Sequence, residues 1–205
     1  MWRALALPSH LRVVTHLSHE RSEEEATAFL AAFTARTDGH APLFTSEKLP
    51  AYVAALIANS STPEPPPAQR GRGRPRQTPR RVVETALLYA QVDKRREQGR
   101  VAEVRRRIIF GAREIITKVL GGQQINTAYV ERGNLSSRQS NGRLVRKTLS
   151  HSKKSYCLGR HLELEDAVFN FVRPHQALRI AVPQPALRRK WQQRTPAMAA
   201  ELTDK

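Results

Sequence analysis

The sequence predicts a mixed α/β protein, because short strand-like runs alternate with helix-like ones along the chain. A second observation is an abrupt Pro- and Arg-rich insert over residues 60–81 that divides these runs in two. The third is size: 205 residues suffice for one domain with a real core plus tails.

Residues 4–17 alternate weakly and hold Val13 and Val14, which suits two short strands around a turn at Pro8 and Ser9. Ser22 is an N-cap, followed by Glu23, Glu24 and Glu25 in the first turn of a helix running to about Ala35. Its apolar residues Ala26, Phe29, Leu30 and Phe33 recur at helical spacing. Residues 42–45 form a short strand and 50–59 a second helix. The insert carries six Pro, six Arg and one Glu, cannot bury a core, and reads as an extended, disordered linker. Residues 85–93 and 101–110 form a hairpin around Glu97, Gln98 and Gly99, its Arg and Lys alternating outward to leave a basic face. A helix from Gly111 stops near Leu120 at Gly121 and Gly122. A further helix spans 128–138, and another spans 162–172 with Leu164, Val168, Phe169 and Val172 as its buried side. Pro174 ends that last helix, and Pro196 opens a short Ala-rich one. Trp191 either packs on the domain or stacks on a base.

The net charge of +17 and pI near 11.2 point to a polyanionic partner. No apolar run approaches the ~20 residues of a membrane span, and the start, MWRALALPSHLR, lacks a secretory core, so nucleic acid is expected rather than a membrane. Cys157 is alone, which removes an internal disulfide and a Cys-based zinc site and fits a reducing cytosol. The seven His show no ligand spacing and read as surface or phosphate-adjacent groups.

Glu131 is the only acidic residue of 125–154, a stretch otherwise rich in Arg, Lys, Asn and Ser. A solvated helix face normally interleaves both signs, so something anionic is expected nearby. On a helix, Glu131, Asn134, Leu135 and Arg138 fall at i, i+3, i+4 and i+7 and share one face. A carboxylate beside amide and guanidinium donors suits a hard cation held next to a phosphate. The alternative is a surface helix with one ordinary Glu.

The blocks YVERGNLSSRQ, RLVRKTLSHSKK, FNFVRPHQALR and TPAMAA, in that order, resemble the C-terminal half of the catalytic domain of bacterial insertion-sequence transposases of the DDE class, closest to the insertion sequence 1 group. The resemblance runs from about residue 11 to the end, interrupted by the insert. It implies an RNase H-like (integrase-type) α/β domain, incomplete because its leading strand is missing. Residues 1–59 would be its first part, 60–81 the linker, 82–180 the hairpin and C-terminal part, and 181–205 a tail. Glu131 matches the third member of the family's Asp, Asp, Glu metal triad. In FTSEKLPAY, Glu47 stands where the second Asp is expected. Its extra methylene displaces the carboxylate by about 1 Å, enough to cost ~10²-fold in rate. No residue before Glu20 is acidic, so the first Asp has no counterpart and truncation at the N-terminus is expected.

The resemblance therefore implies Mg²⁺ or Mn²⁺ as cofactor, with impaired binding at Glu131 and Glu47, and the two-metal phosphoryl transfer of DNA transposition. It implies that Arg132, Asn134 and Arg138 position the DNA backbone and that the RPH block, with His175 as a structural hydrogen-bonder, closes the core. Arg143, Arg146 and Lys147, with Lys153 and Lys154, form a second basic cluster. RGRGRPR also resembles an AT-hook, in which Arg72, Arg74 and Arg76 would enter the A·T minor groove. The implied partner is double-stranded DNA, both insertion-sequence ends and target, with self-association, no membrane and no small-molecule substrate, in a cytoplasmic, nucleoid-associated setting. Weak or absent strand transfer is expected from the incomplete triad. The alternatives are a repressor or competitor at insertion-sequence ends and a basic protein that coats RNA.

Overall fold

The computed structural model describes residues 1–38, 41–64, 80–145, 147, 149–186 and 189–204. It is mixed α/β, with strands β1 (Trp2–Ala6), β2 (Leu11–His16), β3 (Phe44–Glu47), β4 (Ser61–Glu64), β5 (Arg80–Val83), β6 (Tyr89–Glu97), β7 (Arg100–Phe110), β8 (Ile180–Ala186) and β9 (Arg189–Gln192). The helices are α1 (Glu23–Thr34), α2 (Pro50–Asn59), α3 (Arg113–Val119), α4 (Ala128–Ser140), α5 (Ser155–Ala167) and α6 (Pro196–Ala199). Contacts divide the chain into two compact units, residues 1–19 with 128–205, and residues 20–127. Among the described residues no helix is long and apolar enough to cross a membrane.

In the unit formed by residues 20–127, β3 runs parallel to β6, with Phe44 opposite Tyr89 and Glu47 opposite Val92, and β6 pairs antiparallel with β7. The expected strand at 42–45 thus sits two residues later. Ser22 accepts from the Glu25 amide at 3.3 Å and caps α1 as its sequence requires. Buried Ala26, Phe29 and Leu30 turn α1 inward, and Phe29 meets Tyr52 of α2 edge-on at 6.3 Å. Tyr52 is carried so far from water that its hydroxyl is pushed up to about 12, burial being the main cause. Tyr89, Ala90 and Val92 are buried at the centre of the sheet, each worth roughly 1–3 kcal/mol of apolar burial.

The linker expectation fails at the ends of the insert: Ser61–Glu64 pairs antiparallel with Arg80–Val83, Glu64 lying opposite Arg80. Backbone hydrogen bonds and the pairing of Val82 and Val83 with Ser61 and Thr62 outweigh the local composition there; residues 65–79 lie outside those described. The β6–β7 turn is tighter than expected. Gln98 (φ 49°) and Gly99 (φ 80°) both occupy the left-handed region, the two-residue geometry whose twist matches the flanking strands. The expected outward alternation of the hairpin cations is also replaced: Arg105, Arg106 and Arg107 are consecutive and all exposed, so this half of the ribbon is wet on both faces. Gly111 does not start α3 but turns the chain before it, at φ 92°, where a Cβ would collide with the Leu88 side chain.

In the other unit, β1 and β2 form a hairpin, and β8 pairs with β9 within the segment expected to be a tail. Thr195 caps α6, whose Pro196 and Ala197 are buried. The largest correction concerns the helix over 162–172. Leu164 (64% exposed), Val168 (42%) and Val172 (68%), expected inside, face solvent, while Leu162 and Asn170 are buried. From Val168 the period changes: the helix widens into a π-helical turn, Val168–Val172, closed by the Arg173 amide donating to the Val168 carbonyl at 2.9 Å, so a 3.6-residue projection fails beyond that point, while Leu164 is already exposed on the regular helix α5.

Candidate functional site

The β1–β2 hairpin carries two guanidiniums into the interior of its unit. Arg3 Nη1 donates to Ser137 Oγ of α4 at 2.6 Å and Arg3 Nη2 to Asp166 Oδ1 of α5 at 3.3 Å. Arg12 Nη1 donates to Glu165 Oε1 and Asp166 Oδ1, both at 3.1 Å, and its guanidinium lies 3.8 Å over the Phe169 ring. Both arginine side chains are 2% exposed. Asn170, in the π turn, faces the Arg12 backbone and exchanges two hydrogen bonds of 2.9 Å with it, as a strand neighbour would. Burial, with the nearby Arg12 charge, presses the Arg3 pKa down, and Asp166 and Glu165 oppose this. Burial would raise the Glu165 pKa, but hydrogen bonds from Ser137 and Arg12 and the charges of Arg12 and Arg3 hold it below the ordinary glutamate value.

The chain reads LRVVTH around Arg12 with no acid before Glu20, so these partners come from 153 to 163 residues away and are not identifiable from sequence. The available signal is the pair of arginines set in otherwise apolar strands, which burial forbids without carboxylates.

On α4, Glu131 is half-buried in the first turn, where the helix dipole favours a carboxylate by about 0.3–1 kcal/mol. Asn134 is half-buried with its Oδ1 enclosed and unpartnered, Leu135 is 53% exposed, and Arg132 and Arg138 are exposed. The inner stripe of α4 runs instead through Ser137 and continues to Asn141, both buried. Arg143, Lys147, Lys153 and Lys154 are exposed, whereas Arg72, Arg74, Arg76 and Arg146 lie outside the described residues.

The structural hydrogen bond of His175 comes from its backbone. Its amide donates to the Arg194 carbonyl at 2.9 Å, but Nδ1 is buried without a partner, and the ring stacks on His10 at 4.6 Å. His10, in the β1–β2 turn at φ 60°, also meets Tyr129 of α4 at 5.0 Å. Two of the seven His are therefore paired in space, although not in sequence. Burial lowers both histidines, aided by His175 at His10 and by Arg132 at His175. A lowered folded-state value means that the unfolded chain binds protons first. Stability is therefore full above the ordinary histidine value near 6.5 and declines as pH falls below it toward the folded values. Melting curves across that window should slope for the wild type and flatten in His10→Asn, which keeps a residue tolerant of positive φ.

In the unit of residues 20–127, Glu47 ends β3 and is exposed. Beside it Ser46 Oγ pairs with Tyr89 Oη at 2.7 Å, and Lys48 Nζ donates to Asp93 Oδ2 at 2.9 Å. That hydrogen bond from Lys48 holds Asp93 below its ordinary value and commits its carboxylate to an ammonium. Glu47 and Glu131 belong to different units. Among the described residues no three His, Cys, Asp or Glu side chains stand close enough to share a metal ion.

Among the described residues, exposed cations concentrate on the β6–β7 ribbon, where all the Arg are exposed and Lys94 is half-buried. The ribbon holds seven Lys and Arg (Lys94, Arg95, Arg96, Arg100, Arg105, Arg106, Arg107) against three acids (Asp93, Glu97, Glu103). Arg95 pairs with Glu97 at 3.0 Å and Arg105 with Glu103 at 2.7 Å, while Asp93 is taken by Lys48, so cations remain in excess. Arg106 Nε donates to the Ile125 carbonyl at 2.8 Å, which fixes its stem while leaving the residue exposed. Comparison with protein-family models, curated proteins and solved structures finds no match to this chain.

Proposed function

We propose that the chain binds double-stranded DNA and descends from a DNA strand-transferase of the insertion-sequence DDE class, with an incomplete RNase H-like domain, weak Mg²⁺ binding and little or no strand transfer by itself. The observation that carries the binding is the β6–β7 ribbon, a two-stranded element with consecutive exposed arginines and a net charge of +4, seven cations less three acids, in a chain of net +17. A two-stranded ribbon of this kind presents guanidiniums on both faces to phosphates, and its exposed ion pairs cost little to rearrange. The exposed Arg132, Arg138, Arg143 and Lys147 add further phosphate contacts. The V-E-R-x-N block around Glu131 and the RPH block support the ancestry.

Occupying insertion-sequence ends without cutting them would make such a chain a competitor of an intact enzyme. The test separates binding from chemistry. The purified chain should retain a duplex bearing inserted-element ends in chelator, Glu131→Ala should retain it equally well, and incubation with Mg²⁺ should yield no nicked product. Mg²⁺-dependent cleavage abolished by Glu131→Ala would overturn the inactive assignment, and absence of duplex binding would overturn the function.

A further inference from the structure

We infer that the groove between the end of α4 and the π turn is a binding pocket for a nucleoside phosphate. This rests on the DNA-binding proposal only for its biological source of ligand. The concavity holds about 210 Å³. It is smaller than the ~300–1,000 Å³ clefts that take drug-sized ligands, so it takes a fragment.

Its lining is divided in a way that selects the fragment. Leu164, Val168 and Phe169 supply an apolar wall, of which Leu164 is 64% exposed and Val168 42%. Arg12, Arg173 and His161 supply cations or donors, and Ser140 a hydroxyl. Glu165 also lines the groove and opposes an anion, but Arg3 and Arg12 balance Glu165 and Asp166 within the buried network. Arg173 is therefore left as uncompensated charge at the groove, with His161 adding to it when protonated. A ligand with an apolar or planar body and a phosphate fits this division; an apolar ligand leaves the cations without use, and a bare phosphate leaves the wall exposed.

Two further features point to occupancy. Arg12 Nε is buried without an acceptor, and a phosphate oxygen beside that guanidinium supplies one. The wall is also built in part by a π-helical turn, which sacrifices regular helix geometry and leaves Val168 exposed at the groove, beside Leu164 of α5. Asn170 anchors the turn to β2, so the wall is fixed rather than induced.

The experiment uses the full chain with deoxyadenosine 5′-monophosphate, inorganic phosphate and deoxyadenosine as probes in titration calorimetry. In parallel, labelled duplexes with a 5′-phosphorylated or 5′-hydroxyl overhang are compared for affinity. The monophosphate should bind at least ~10-fold more tightly than either fragment, and R173Q and, separately, L164D should each remove that advantage while blunt-duplex binding stays intact. Preference for the phosphorylated overhang identifies a strand end as the source; monophosphate binding without that preference identifies a free nucleotide. If neither the monophosphate nor the phosphorylated overhang shows an advantage while blunt-duplex binding persists, the pocket assignment is wrong. If blunt-duplex binding is absent but the monophosphate binds, the pocket stands and the DNA-binding function falls. Urea midpoints of both variants equal to wild type would establish that lost binding is not lost folding.

Discussion

Asp166→Ala should lower the unfolding free energy of the unit that contains the β1–β2 hairpin by about 3–5 kcal/mol, the cost of leaving buried charge uncompensated. Asp166 Oδ1 accepts from both Arg3 and Arg12, at 3.3 and 3.1 Å, and both guanidiniums are 2% exposed. With it gone, two buried cations share only Glu165. The contrast is Arg160 and Glu163 on α5, which pair at 2.8 Å but are 63% and 54% exposed. Glu163→Ala should therefore move stability by no more than ~1 kcal/mol. Urea unfolding followed by tryptophan fluorescence reads this unit alone, since Trp2 and Trp191 both lie in it. Equal midpoints for the two variants would mean the buried network carries no weight. Acid should act on the same network. The depressed Glu165 value supplies stability that is complete above the ordinary glutamate value near 4.3 and is lost as pH falls through the lower folded one.

The second large effect is on binding. Replacing Arg100, Arg105, Arg106 and Arg107 together with Ala should weaken duplex binding by about 10³-fold near 0.1 M salt. The slope of log K against log salt should fall by three to four, roughly 0.9 for each phosphate no longer neutralised. Folding should survive, because all four are exposed and the sheet core lies at Tyr89, Ala90 and Val92. Arg105 is ion-paired with Glu103, and its removal frees that acid, which weakens DNA binding further. A variant that binds as wild type would place the DNA contacts elsewhere.

Much of the local structure is legible in the sequence because it follows from local rules. Ser22 caps α1, Pro50 starts α2, and Gly121 ends α3 by the same steric and hydrogen-bonding preferences that operate in short peptides. What is not legible depends on distant partners. Arg3 and Arg12 find Asp166 and Glu165 only after the chain has returned, and no spacing in either segment announces the other. The apolar positions over 162–172 are plain in the sequence, but beyond Val168 a 3.6-residue period projects them wrongly, since the π turn changes the period there. Ser61–Glu64 shows the opposite effect: a composition hostile to strands is overruled by a partner, Arg80–Val83, across the insert. The site residues divide likewise. Arg132, Arg138, Arg143 and Lys147 are exposed as phosphate contacts require, but the pairing of His10 with His175 and the enclosed Oδ1 of Asn134 are tertiary facts.

The measurement that bears most directly on the central claim is fluorescence anisotropy of a labelled DNA duplex titrated with the intact chain between about 50 and 200 mM salt, with unlabelled RNA duplex as competitor. Binding should be retained in chelator, should weaken by ~10³-fold or more across that range as several phosphate contacts release counterions, and should be displaced by unlabelled DNA more readily than by RNA. A salt-insensitive affinity, or displacement by RNA at lower concentration than by DNA, would contradict a DNA-binding descendant of a strand-transferase.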